Sequence, residues 1–107
     1  MFTIYSAIIN ADGSIQRQTR QNILQVTHNT PGVYSLNYSS LNLQNPPTLL
    51  VQAYDQDYFA TTDVPLAGSV NVFIHTALSL MEKQWISVNK LSNREGDCPF
   101  TIYILGF

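Results

Sequence analysis

Short runs of alternating apolar and polar residues, each closed by Gly, Pro, Asn or Asp, recur along this whole chain, and helical periodicity is nearly absent. A period of two places successive side chains on opposite faces of an extended strand, so such a chain folds by burying one face of each strand. The clearest case is Val33 to Tyr38, with Tyr34, Leu36 and Tyr38 on one face and Ser35 and Asn37 on the other. In Ser69 to Thr76, Val70, Val72 and Ile74 share a face opposite Asn71, Phe73 and His75. Asn22 to Thr27 sets Leu24 and Val26 against Ile23, Gln25 and Thr27. Further strands are expected over Phe2 to Ile9, Ser14 to Gln18, Thr48 to Tyr54 and Trp85 to Val88. Pro99 to Phe107 is apolar on both faces, which suits a central strand or a subunit interface.

The punctuation between these runs is turn chemistry. Asn10-Ala11-Asp12-Gly13 and His28-Asn29-Thr30-Pro31-Gly32 read as turns, and Asn45-Pro46-Pro47 stops any strand because proline donates no ladder hydrogen bond. Asp55 to Leu66 reads as a long exposed loop, Asn89 to Cys98 as a polar loop, and Ala77 to Lys83 as at most a helical turn. Seven or eight short strands with turn signals at this spacing predict an all-β fold, a single antiparallel β-sandwich of jelly-roll-like kind over residues 1–107.

Composition narrows the class of function. The chain has 107 residues, which bounds it to one domain. Hydrophobic residues make up 45% and exclude a disordered chain. Charged residues make up only 11%, where about 25% is usual, and Asn, Gln, Ser and Thr take up the difference. A surface solvated by neutral hydrogen-bonding groups suits an extracellular, assembly or sugar-facing protein. The net charge of −2 and the scatter of Arg17, Arg20, Lys83, Lys90 and Arg94 offer no basic face for nucleic acid. No apolar run approaches the roughly 20 residues of a membrane-spanning helix. The start MFTIYSAIIN has neither the basic region nor the cleavage site of a signal peptide. A chain made in the cytoplasm, and acting outside the cell only within a particle or after lysis, is therefore expected.

Candidate chemistry is sparse. Cys98 is alone, so the sequence offers no disulfide and no zinc cluster. His28 and His75 are the two histidines, and no GxSxG elbow accompanies them. Asp55-Gln56-Asp57 lacks the glycine and distal glutamate of a calcium loop. Neither a catalytic residue, a metal site nor a cofactor is assigned, and the chain is read as no enzyme. A sugar site needs ring faces for C–H surface and carboxylates for hydroxyls. Tyr54, Asp55, Asp57 and Tyr58 supply both on one segment, and Trp85 is a further platform.

Four motifs occur in a fixed order: Ala11-Asp12-Gly13-Ser14-Ile15, then Gly32-Val33-Tyr34-Ser35-Leu36-Asn37-Tyr38, then Asn45-Pro46-Pro47-Thr48-Leu49-Leu50-Val51, then Asp97-Cys98-Pro99-Phe100 running to Gly106. The order resembles the small β-sandwich domains at the tips of phage tail fibres and collagen-like bacterial filaments. It is also similar to complement and tumour-necrosis-factor-like jelly rolls and to small sandwich lectins. Two features depart from the pattern: the chain has no collagen-like or coiled stalk, and Ala77 to Trp85 is longer and more apolar. The resemblance implies a non-catalytic attachment or assembly module that forms a homotrimer. Its partners would be copies of itself and a cell-surface glycan or particle component. Phe100, Ile102 and Ile104 would then fill the core, and Phe2, Ile4, Tyr103, Leu105 and Phe107 would face a neighbour. A free-standing carbohydrate-binding lectin is the alternative, and a small sandwich enzyme the third reading.

Overall fold

The computed structural model describes residues 3–55, 57–76 and 97–107. They form β1 (Thr3–Ile9), β2 (Ile15–Gln18), β3 (Gln25–Thr30), β4 (Val33–Asn37), β5 (Thr48–Ala53), β6 (Tyr58–Thr62), β7 (Ser69–Thr76) and β8 (Phe100–Gly106). Two four-stranded antiparallel sheets, ordered β2-β1-β8-β5 and β3-β4-β7-β6, face each other as an all-β, jelly-roll-like sandwich. The chain crosses between the sheets repeatedly, and its first and last strands pair along their whole length, from Thr3↔Gly106 to Ile9↔Phe100. The expected strand over 85–88, the helical turn over 77–83 and Trp85 lie outside the described residues.

Side-chain alternation becomes the core. Tyr5, Ala7 and Ile9 of β1 and Phe100, Ile102 and Ile104 of β8 meet Tyr34 and Leu36 of β4 and Val70, Val72 and Ile74 of β7. All of these are buried; the faces of β4 and β7 are those read from the alternation, and Phe100, Ile102 and Ile104 point inward as the resemblance implies. The doubly apolar last strand is central, held between β1 and β5.

Turn residues set the hairpins. The β1–β2 turn closes with the Gly13 N–H donating to the Asn10 carbonyl (2.9 Å), while the Asp12 carboxylate accepts from the Ser14 N–H (2.9 Å) and hydroxyl (2.6 Å). Those two bonds, the hydroxyl's first, hold the Asp12 carboxyl below its ordinary value. Gly13 has φ +93, and a Cβ there would stand 2.9 Å from the Cβ of His28, so both conformation and space require glycine.

Two expectations change. The turn read over His28 to Gly32 shrinks to Pro31-Gly32, since β3 runs through Thr30, which pairs with Val33. Proline pre-set at the first corner and Gly32 at φ +80 meet the demands of a two-residue turn, which frees His28 to join the strand. The loop read over Asp55 to Leu66 contains β6, paired with β7 from Tyr58↔Thr76 to Thr62↔Val72. Adjacent aromatics hid its alternation: Tyr58 packs against the core while Phe59 stacks outward on His75, at 5.1 Å between centroids.

Buried tyrosines satisfy their hydroxyls within the fold, and Tyr34 does so across the two layers. Tyr34 donates to the Ala11 carbonyl (2.6 Å), Tyr38 to the Leu66 carbonyl (2.6 Å) and Tyr5 to Oε1 of Gln18 (2.7 Å). His28 lies ring to ring on Tyr34, with centroids 4.5 Å apart, and its Nε2 is 2.8 Å from Oδ1 of Asp97. The same oxygen accepts the Gly32 N–H at 2.9 Å. Asp97 thus clips the β3–β4 hairpin to the entrance of β8.

Two outcomes test this packing. Burial pushes the Tyr5 and Tyr38 phenols up to about 12, and raises Tyr34 as well, from an ordinary value of 10.0. With the folded value above the unfolded one, their stabilisation is complete below pH 10 and is lost as pH rises towards 12. Thermal melts across that window should show a falling midpoint, with a shallower fall in Tyr38→Phe. Asp97→Ala leaves the Gly32 N–H and His28 without their acceptor and should cost about 1–3 kcal/mol in denaturant titration. Asp97→Asn, which keeps an acceptor oxygen, should cost less.

Candidate functional site

Three surfaces gather the chemistry. The first is the crossover from β5 to β6. The Tyr54 N–H donates to the Pro99 carbonyl (2.9 Å), the Asp57 N–H to Oδ1 of Asp55 (2.9 Å), and the Tyr58 N–H to the Asp55 carbonyl (3.0 Å). This local turn brings Tyr54, Asp55 and Tyr58 to the wall of an open cleft of about 450 Å³ between β5 and β6, with Val51, Gln52 and Phe59. Three of the five residues expected to bind a ligand therefore come together. Asp57 is exposed and lies off the cleft, and Trp85 is outside the described residues.

The second surface is the outer face of β2-β1-β8-β5. Pairing places Ile4 beside Leu105 and Leu105 beside Thr48, then Ser6, Tyr103 and Leu50 in the next row, then Ile8, Thr101 and Gln52. None of these residues carries a charge, and Ile4, Leu50 and Tyr103 are 62%, 56% and 46% exposed. Of the residues expected to face a neighbour, Ile4, Tyr103 and Leu105 share this face. Phe107, just past β8, lines a separate depression with Thr3, Leu41 and Gln44, and Phe2 is outside the described residues. Leu50 escaped notice because Leu49-Leu50-Val51 is continuously apolar and alternation cannot be read from it. From Tyr103 towards the Ile8 row, the face holds a shallow depression of about 390 Å³ walled by Arg17, Tyr54, Thr101 and Tyr103. Scattered positions on four different elements give no motif, so no signal in the chain could have assembled it.

The outer face of the other sheet contrasts with both. There Asn29 Nδ2 donates to Ser35 Oγ (2.7 Å), Ser35 Oγ to Asn71 Oδ1 (2.7 Å), and Asn71 Nδ2 to Asp63 Oδ2 (2.8 Å). This polar ladder satisfies itself across three strands and the β6–β7 loop.

The third grouping is the histidines, which the fold keeps apart. His28 points inward against Tyr34 with Nε2 held by Asp97, while His75 lies on the outer face of β7 over Phe59, with Thr61 Oγ1 at 3.3 Å. Among the described residues, no three His, Cys, Asp or Glu side chains converge as a metal site would require.

Compared with protein-family models, with curated proteins and with solved structures, this chain matches none.

Proposed function

We propose that this protein is a non-catalytic attachment or assembly module that works as a homo-oligomer, with the outer face of β2-β1-β8-β5 turned towards a neighbouring copy. The observation that carries this reading is the uncharged, apolar patch that Ile4, Leu105 and Leu50 form in adjacent rows of a sheet face. A neutral patch can meet a copy of itself without like-charge repulsion, although the whole chain carries −2. Fully burying one Leu or Ile side chain contributes about 1.5–3 kcal/mol. Several such residues from each partner are needed to offset the roughly 4–15 kcal/mol of freedom lost on association. Closed symmetry supplies them repeatedly, and the resemblance of the ordered motifs to fibre-tip domains favours a trimer.

The alternative of a free-standing lectin draws on the cleft where Tyr54, Asp55 and Tyr58 converge. Ring faces and a carboxylate there suit a sugar's C–H and O–H groups. A monomer that binds glycans would favour it.

Light scattering at micromolar concentration should give three times the 12.0 kDa chain mass, and a monomer would overturn the reading. Ile4→Asp combined with Leu50→Asp should yield a folded monomer by circular dichroism, since both side chains are exposed in the single chain.

A further inference from the structure

Beyond the apolar rows, the outer face of β2-β1-β8-β5 changes character. In register, Arg17 of β2 stands beside Ile8 of β1, and Ile8 beside Thr101 of β8. Tyr103 lies one row to one side of Thr101, and Tyr54, anchored to the Pro99 carbonyl, lies to the other. Both rings are about half exposed, at 46% and 57%. They border the 390 Å³ depression together with the Ser6 and Thr19 positions on its β1–β2 side. That volume lies at the small end of the roughly 300–1,000 Å³ range of small-molecule sites.

We infer that this depression is a binding site for a carboxylated saccharide. The inference rests on the attachment reading and names the ligand class for it. Arg17 is the charged residue in the lining, and among the described residues no carboxylate pairs with it. A guanidinium offers a planar fork that matches a carboxylate through two parallel hydrogen bonds. Tyr54 and Tyr103 present ring faces that cover the C–H surface of a pyranose, and their hydroxyls remain available at the rim. Ser6 and Thr101 add short hydroxyls that both donate and accept, which a sugar hydroxyl needs, while Thr19 Oγ1, which already accepts the Ser6 N–H, keeps its proton to donate. A neutral sugar would leave the guanidinium unmatched. A nucleic acid or polyphosphate would demand further cations, and Arg17 is the one cation in this lining. The site adjoins the apolar rows at Tyr103, so in the oligomer it lies at the rim of the subunit contact and stays open to solvent.

The test is titration calorimetry of the full chain with sialyllactose, and with a glucuronate-containing disaccharide, each beside its neutral counterpart. One of the acidic saccharides should bind at least tenfold more tightly than its counterpart, and the binding should weaken as salt is raised. Arg17→Ala should lower that affinity tenfold or more, and Arg17→Lys by less, with an unchanged circular dichroism spectrum and mass. Tyr54→Ala should weaken the acidic and the neutral ligand alike, because it removes ring contact and no charge. Equal affinity for acidic and neutral saccharides, no binding of either acid at millimolar concentration, or an undiminished Arg17→Ala variant would each overturn the proposal. A wild-type monomer that binds the acidic saccharide would support the site and overturn only the oligomer. A trimer that binds neither acid would overturn the site and leave the oligomer standing.

Discussion

The packing of Tyr34 is the contact on which the sandwich depends. Its ring is fully buried, lies flat on His28 of β3 and meets Phe100 of β8 edge to face at 5.0 Å between centroids. Its hydroxyl reaches the Ala11 carbonyl in the β1–β2 turn. One side chain therefore joins both sheets and a hairpin, and its polar end is satisfied, so burial carries no orphaned donor. The demand for glycine at Gly13 follows from the same place, because His28 must sit close under that turn to stack on Tyr34. Asp97 completes the arrangement by holding His28 and the Gly32 N–H through one oxygen.

With the inner faces filled in this way, the two outer faces are left to differ. One is a ladder of Asn, Ser and Asp side chains that bond to one another and to backbone. Beside that ladder, the same face carries the Phe59–His75 stack. The other presents Ile4, Leu50, Tyr103 and Leu105 without a charge among them, and next to them a depression walled by rings, hydroxyls and one guanidinium. Strand register sets the two characters towards opposite ends of the sheet, with Tyr103 between them. Apolar side chains gather towards the Thr3 end, and Arg17 and Tyr54 stand towards the Ile9 end.

How much was legible depended on whether a residue's neighbours were near in the chain. Tyr34, Leu36, Val70, Val72 and Ile74 were readable as core because alternation maps directly onto the faces of a strand. The turns at Asp12-Gly13 and Pro31-Gly32 were readable because glycine and proline restrict the backbone by themselves. β6 was not, because Tyr58 packs inward while its neighbour Phe59 finds a partner in His75 on the outer face. Of the residues expected from the sequence to bind a ligand, Tyr54, Asp55 and Tyr58 share one cleft because a local turn gathers them. That Arg17, Thr101 and Tyr103 line one depression was not legible, since Thr101 pairs with Ile8 from the far end of the chain.

By itself, then, the amino-acid order determined the faces of β4 and β7, the glycine and proline corners and the uncharged character of the last strand, because each depends on backbone geometry or solubility over a few residues. Tertiary structure alone decided that β8 lies between β1 and β5, and hence that Ile4, Leu50 and Tyr103 form one surface. It also decided that a guanidinium from β2 shares a depression with rings from β8 and from the end of β5. The reason is physical: strand order is chosen by how whole faces pack across the sandwich, and that choice is a property of all the strands together.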